Sequence, residues 1–469
     1  MEHYIFYCKL SLLAVLSLIT ACCMLSRRWY VNLAAFLACL SGETFLAHLF
    51  FPGYMLCPAA ASFIILFLSR IWDLSRTSAK GNGADPIRLP VRSGIRESRL
   101  EFYYYYSNFL VYGGAGSGKT KSIGKWLLSE YMRLGFAGFI YDFKDTDYTR
   151  TAYNLIKRHR YPHKFYYVSF DRPERSYRFN PLKVVRDRTE LIQLMEDVLL
   201  ALLPKKEQQN EWVAGGLGIL RGVAFRFWDE FPEHCTLPHI LAFIMTASAR
   251  QLSLFLQQNL VSEMLAGAYL KAEGSEKTQA SYLSTLCNNL ATVSQNEEIA
   301  YVLSGDDFDF NLIDPENPKL FAVSNNFSKN SVYAPVISML MTISARQFSM
   351  QNRVPFVYFL DEMTTVNIKN FETLPSVLRE YKAAFILLTQ SGSKVENQYG
   401  RLDRSSVEAN FGNQFFGRTK DVESLKYYPM IFGKEEKERR SRSTGKSGGS
   451  TNRSVTVSSQ KEDIYQGKD

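Results

Sequence analysis

The sequence predicts an α/β fold with a largely parallel sheet, an inserted all-α domain and an N-terminal transmembrane helical anchor. Three observations carry that expectation. Short apolar runs, nearly unbroken, alternate with helical runs on both sides of the middle of the chain, as strands buried on both faces of a parallel sheet would. Between about Val185 and Phe310 the strand signals vanish. Residues 4 to 72 hold only Lys9, Arg27, Arg28, Glu43 and Arg70 as charged groups, so nearly all the charge lies beyond them.

The length of 469 residues allows two or three domains, each able to bury a core. A composition 46% hydrophobic and 22% charged excludes a disordered chain, a collagen and a disulfide miniprotein. Five of the seven cysteines (Cys8, Cys22, Cys23, Cys39, Cys57) fall in the apolar part, which leaves Cys235 and Cys287 for the body. Two lone thiols build no disulfide framework and fit a reducing cytoplasm. The net charge of +9 hints at an anionic partner, either nucleic acid or lipid headgroups.

The anchor is expected over residues 1–75. Tyr4 to Leu25 is one membrane span in length and is stopped by Arg27 and Arg28; Val31 to Phe51 and Tyr54 to Trp72 follow, separated by Pro52-Gly53. The positive-inside rule groups Arg27 and Arg28 with Arg70, Arg76, Lys80 and Arg88. That favours three spans with the N-terminus outside, a two-span arrangement being the alternative. Either leaves the body in the cytoplasm of a multi-pass inner (cytoplasmic) membrane protein. Residues 76–100, rich in Arg, Gly, Ser and Pro, are expected to be a linker.

The strands expected next are Asn108-Tyr112, Ala137-Tyr141, Phe165-Phe170, Lys319-Ser324, Phe356-Leu360, Ala384-Thr389 and Asn413-Gly417, with helices such as Lys119-Leu134 and Thr146-Lys157 between them. Leu191, Leu194, Met195, Val198 and Leu202 keep helical spacing, Ser248 with Gln251 signals a capping box, and Thr278 to Leu303 continues the helical pattern. These place two parts of a nucleotide-binding domain at 101–186 and 311–433, around an all-α domain at 187–310. Residues 434–469, dominated by Ser, Thr, Gly and basic residues, are expected to be a flexible basic tail.

Gly113-Gly114-Ala115-Gly116-Ser117-Gly118-Lys119-Thr120 has the phosphate-binding spacing G-x-x-x-x-G-K-[ST]. It follows an apolar strand and opens a helix, the context that spacing requires. Glycines let backbone N–H groups turn around phosphates, Lys119 reaches the β/γ-phosphates, Thr120 offers a hydroxyl to Mg²⁺, and the helix start favours the same anion. Lys121 closes the stretch expected to bind the nucleotide. A second strand, Phe356 to Leu360, runs into Asp361 and Glu362. Asp361 is assigned to the metal and Glu362 to the attacking water as general base. Asp142, after Phe139-Ile140-Tyr141, is the competing strand-end acid, ranked second. Gln390, after the run Ala384-Thr389, is placed to sense phosphate or position water, because ligands in open α/β sheets sit beyond the C-terminal strand ends. Arg379, on the helix before that strand, could project across a subunit interface.

With these residues in order, the chain resembles the TraG/TraD-like coupling-protein ATPases of conjugation and type IV secretion, which are RecA-like P-loop motors. The resemblance rests on Gly113-Thr120, Tyr141-Asp142-Phe143-Lys144, Phe179-Asn180-Pro181-Leu182, Asp361-Glu362, Thr389-Gln390-Ser391, the apolar start and the helical insertion. It implies ATP and Mg²⁺ as cofactors, a homo-hexamer at the membrane, and delivery of relaxase-bound single-stranded DNA to a type IV secretion channel. It also implies an in-trans role for Arg379. Lys394 stands where the family commonly has glutamine, and Phe143 where it commonly has proline. The chain stops at Asp469 without the closing strand and helix the resemblance implies, as a truncated form would.

Two other functions share parts of this pattern. A chromosome-segregation DNA translocase would carry a winged-helix module at its C-terminus, which is not visible before Asp469. A non-hydrolysing docking receptor for secreted proteins would not need Glu362. Weaker signals are His234, Cys235 and His239, too few and poorly spaced for a metal, and Phe102 to Tyr106, which fits a β-hairpin better than a base-stacking platform.

Overall fold

The structure, a computed structural model, describes residues 85–464 apart from 94–95, 204–209, 369 and 448–449, together with Lys9 and Phe45. The expected spans at 4–25, 31–51 and 54–72 lie outside the described residues apart from Lys9 and Phe45. Among the described residues no helix is long and apolar enough to cross a membrane.

The body opens with an antiparallel hairpin, β1 (Ile87–Ser93) and β2 (Arg96–Phe102), where the composition suggested a linker. Composition misled because the apolar content is sparse but well placed. Ile87 and Leu89 are buried, and the Arg88 N–H donates to Glu130 Oε2 at 2.9 Å. The aromatic run beyond the hairpin is mostly inward: Tyr105 and Tyr106 pack on Phe136, leaving Tyr104 exposed.

The seven sheet strands fall on the seven expected runs, within one residue at each end. They are β3 (Phe109–Tyr112), β4 (Ala137–Asp142), β5 (Lys164–Ser169), β6 (Lys319–Ser324), β7 (Phe356–Asp361), β8 (Ala383–Thr389) and β9 (Asn413–Phe416). Their order is β5-β6-β4-β7-β8-β3-β9, and every pairing is parallel. Alternate residues of each strand serve opposite faces. Phe109, Val111, Ile140, Phe359 and Ile386 pack on one side with Leu127, Tyr131 and Tyr148 from helices α1 (Lys125–Arg133) and α2 (Asp147–His159). Leu110, Phe139, Tyr141, Tyr358 and Phe385 enter the other core, which continues into the helical region.

That region contains α3 (Arg188–Ala201), α4 (Glu211–Glu230), α5 (Leu237–Thr246), α6 (Ala249–Gln257), α7 (Leu260–Leu265), α8 (Gly267–Lys271), α9 (Glu276–Ser294) and α10 (Glu297–Leu303). The long α4 is its axis. A Cβ on Gly218 would lie 2.8 Å from the Leu265 carbonyl oxygen, so only glycine allows α4 and α7 to approach this closely. Ser248 and Gln251 form the expected capping box at the start of α6. The helical run expected through Leu303 is broken, because the Asn296 side chain accepts from the Ile299 N–H at 2.8 Å and starts a new helix.

The chain then adds α11 (Asn330–Arg346), α12 (Leu374–Glu380), α13 (Gly392–Tyr399), α14 (Arg401–Ala409) and α15 (Val422–Phe432) around the sheet. After Gly433, β10 (Lys434–Ser447) and β11 (Ser450–Asp463) pair as a long antiparallel ribbon. A flexible tail was expected there. Cross-strand pairing satisfies the backbone of a segment too polar to build a core.

Candidate functional site

Because all seven strands are parallel, their C-terminal ends share one edge, and the loops that follow converge there. The loop after β3 turns through Gly116 (φ 74°) and Gly118 (φ 86°), left-handed conformations that glycine adopts without a Cβ clash. The Gly113 N–H donates to the Thr389 carbonyl at 3.2 Å and the Gly114 N–H to that of Arg418 at 2.9 Å, so the loop is tied to its neighbours on both sides. Ala115 and Gly116 are exposed at its tip. Chain from Lys119 to Gly124 winds as a wide π-type helix before α1 begins. Lys119 is buried and donates from Nζ to the Gly113 carbonyl. Burial lowers its proton affinity, an effect opposed by the nearby Glu362 charge and added to by Lys144. Lys121 is exposed on the first turn.

Strand β8 lies between β3 and β7, so Gln390 emerges between the glycine loop and Asp361-Glu362. Glu362 is only 3% exposed and holds a left-handed backbone (φ 48°), strained for a residue with a Cβ. Its carboxylate accepts from Thr389 Oγ1 at 3.3 Å and Gln390 Nε2 at 3.2 Å. Asp361 is buried, and its Oδ2 has no hydrogen-bond partner. Burial pushes this carboxyl up to about 7, with Asp142 and Glu362 adding to the shift and Lys144 and Lys119 opposing it. An orphaned, buried carboxylate oxygen suits a bound cation, and the lysines nearby suit the phosphates that would accompany it. The Ser117 hydroxyl, also buried without a partner, faces the same requirement within the glycine loop. These residues therefore fit a phosphate chain with Mg²⁺.

Asp142 ends β4 in a different manner. Its Oδ2 accepts from the Thr149 N–H at 2.8 Å and the Thr149 hydroxyl at 2.9 Å, and its Oδ1 from the Lys144 N–H at 3.3 Å. This carboxylate is occupied in fixing the start of α2. Arg379 is exposed on α12, which feeds the N-terminal end of β8. The seven residues of β8 span roughly 20 Å, so within one chain Arg379 lies at the opposite edge from Gln390. Two lysines at the site were not assigned from the sequence. Lys144 Nζ stands 3.5 Å from Thr120 Oγ1, and Lys394 Nζ 3.7 Å from Glu362 Oε1. The sequence signals for Lys144 were its place two residues beyond a strand-end acid and its membership of the Tyr141-Asp142-Phe143-Lys144 motif. Elsewhere, His239 Nδ1 is engaged with Thr236 Oγ1, and among the described residues no three His, Cys, Asp or Glu side chains gather as a metal site.

Residues 100–464 match the family described as the type IV secretion-system coupling protein DNA-binding domain. The chain belongs to that family. The fold of this coupling protein is similar to that of the bacterial conjugative coupling protein TrwBdeltaN70 in a trigonal form in complex with sulphate. That likeness has a TM-score of 0.60 and 15% identity, over 79% of this chain and 81% of that one. The plasmid coupling protein TrwB in complex with ADP and Mg²⁺ aligns with a TM-score of 0.56 and 16% identity, over 76% of this chain and 86% of the other. The RecA-like α/β fold expected from the resemblance is present. No curated protein matches the sequence.

Proposed function

We propose that this coupling protein is a membrane-anchored ATPase that brings relaxase-bound single-stranded DNA to a type IV secretion channel and hydrolyses ATP during conjugative transfer. One observation carries the reading. In a chain of the coupling-protein family, the glycine loop, Asp361, Glu362 and Gln390 converge on one edge of the sheet. The plasmid protein TrwB, similar in fold, has been solved with ADP and Mg²⁺.

In this reading the backbone N–H groups of the glycine loop beyond Gly114 and the Lys119 ammonium bind the phosphates. Thr120 and Asp361 hold Mg²⁺, whose charge stabilises the phosphates when bound. Glu362 takes the proton of an attacking water, and Gln390, hydrogen-bonded to it, orients that water. Residues 101–186 and 311–433 form the nucleotide-binding domain, 187–310 the all-α domain, and 434–469 a basic C-terminal segment that carries the β10–β11 ribbon. Residues 1–75 form a multi-pass anchor in the inner membrane, and six copies form a ring in which Arg379 serves the neighbouring site.

Turnover of ATP by the full chain, with and without single-stranded DNA, tests this directly. Stimulation by single-stranded DNA is expected. Stimulation by duplex alone would favour a chromosome-type translocase, and nucleotide binding without turnover a docking receptor.

A further inference from the structure

Phe327 is 82% exposed in the loop that leaves β6 at the same edge of the sheet. An isolated exposed ring needs no explanation, but this one is braced. Asn326 Oδ1 accepts from the Ser328 N–H at 2.9 Å and the Ser328 hydroxyl at 2.7 Å. Asn326 Nδ2 donates to Asp171, which also pairs with Lys329 Nζ at 2.8 Å. Phe143 stands edge-on to Phe327, with ring centroids 6.5 Å apart and planes at 81°.

The loop is also wired to the nucleotide site. Asn325 Nδ2 donates to Tyr141 Oη at 2.8 Å, and Tyr141 Oη meets Thr365 Oγ1 at 2.6 Å. Thr365 Oγ1 donates to the Glu362 carbonyl at 2.7 Å. A parallel link runs from Asn330 Nδ2 to the Thr365 carbonyl at 3.2 Å, and Asn330 Oδ1 accepts from Asn325 Nδ2 at 2.7 Å. Each hydroxyl in the first path accepts one hydrogen and donates one. Tyr141 and Asn325 are buried, so breaking any link strands a polar group away from water. A change in the strained backbone at Glu362 must therefore be met by movement of the Asn325–Asn330 loop.

We propose that the Asn325–Asn330 loop is a contact site for single-stranded DNA, in which Phe327 stacks on a base and the Glu362–Thr365–Tyr141–Asn325 relay ties the loop to the state of the nucleotide site. This rests on the coupling-ATPase reading. The family match supplies DNA as the partner, and the exposed phenyl face selects the single strand. Bases in a duplex are already stacked, whereas unpaired bases offer π-faces to aromatic side chains. Lys144, Arg172 and Lys329 lie on the segments after β4, β5 and β6. Arg172 pairs with Asp145 at 3.3 Å and Lys329 with Asp171 at 2.8 Å, carboxylates that DNA phosphates would replace.

The test is fluorescence anisotropy of labelled oligodeoxythymidine with the full chain in detergent, beside ATP turnover. Phe327→Ala is expected to weaken binding at least about fivefold, while Phe327→Trp retains it and DNA-free turnover and thermal midpoint stay at wild-type values. Wild type should bind the oligonucleotide with different affinities in ADP and in a non-hydrolysable ATP analogue, and Thr365→Val should remove that difference. Unchanged affinity in Phe327→Ala overturns the stacking role. Equal wild-type affinity in both nucleotides overturns the relay. A wild type that hydrolyses ATP but prefers duplex, or binds no DNA, overturns this inference and leaves the ATPase assignment standing; one that neither hydrolyses ATP nor binds DNA overturns the coupling reading itself.

Discussion

Lys394 Nζ lies 3.7 Å from Glu362 Oε1, bridging the first turn of α13 and the end of β7. Lys394 stands where the resemblance read from the sequence leads one to expect glutamine, so a charge replaces the expected amide. Its side chain is 46% exposed while that of Glu362 is 4% exposed. The carboxylate also has Thr389 and Gln390 as partners. With the Thr364 hydroxyl, which donates to Glu362 Oε1 at 3.4 Å, the lysine is one support among four.

An ion pair whose lysine stays half exposed and whose carboxylate has other partners contributes about 1 kcal/mol or less, which converts to at most about a fivefold change in rate. Lys394→Ala is therefore expected to lower ATP turnover by less than about fivefold, and Lys394→Gln by less still. Steady-state kinetics of both variants check this. A loss of tenfold or more, accompanied by weaker binding of nucleotide, would show that Lys394 contacts the phosphates rather than steadying Glu362.

The two strand-end aspartates should respond oppositely to substitution. Asp142→Ala leaves the buried Thr149 N–H and hydroxyl without an acceptor, at about 1–3 kcal/mol. A fall of several degrees in the thermal midpoint is expected. Asp361→Asn removes a buried charge whose Oδ2 has no partner, so its midpoint in the absence of nucleotide should match or exceed that of wild type. Differential scanning fluorimetry without Mg²⁺ decides the matter. A large loss for Asp361→Asn would mean that this carboxylate is structural.

The contrast between these two acids also marks what the sequence could reveal. Phe139-Ile-Tyr-Asp142 and Phe359-Leu-Asp361 read alike, and only the adjacent Glu362 and the lysine two residues after Asp142 separated them. The structural reason, that Thr149 folds back onto Asp142, depends on how α2 leaves β4 and has no linear signature. The sheet was legible to within a residue because strands buried on both faces must be nearly all apolar, as Phe109–Tyr112 and Ala383–Thr389 are. The hairpin Ile87–Phe102 was not, since among the described side chains of β1 only Ile87 and Leu89 are buried, and Pro90 and the many charged residues argue against a strand. Lys144 and Lys394 were missed for a related reason. Their long side chains reach the site from the loop after β4 and from the first turn of α13, and reach is not written in spacing.

Glycine-loop chemistry separates binding from hydrolysis. Lys119→Ala removes the buried ammonium of the loop and is expected to abolish measurable turnover and to weaken binding of a fluorescent ATP analogue. Glu362→Gln keeps the side-chain shape and should still bind the analogue, with turnover lower by about 10² or more for loss of a general base. Turnover of Lys119→Ala within about twofold of wild type would sink the site assignment. Equal loss of binding and turnover in Glu362→Gln would point to a structural or metal-ligand role.

Arg379 poses the assembly question. It is exposed at the N-terminal edge of β8, roughly 20 Å from Gln390 along the strand, so it cannot complete the site of its own chain without large rearrangement. A closed ring joins two different faces of the same subunit, and such a contact can bring one chain's Arg379 edge to the next chain's glycine loop. An arginine supplied in this way stabilises charge in the transition state and accelerates turnover by several orders of magnitude. Neither Arg379→Ala nor Lys119→Ala alone should then hydrolyse ATP. Mixed oligomers of the two should recover part of the activity, at sites that pair an intact Lys119 with a neighbour's intact Arg379. Mixing is to be verified by co-purification through two different affinity tags before turnover is measured. If verified mixed oligomers recover nothing, or if Arg379→Ala alone turns over ATP at the wild-type rate, Arg379 is an ordinary surface residue and the arginine of the shared site must be sought elsewhere.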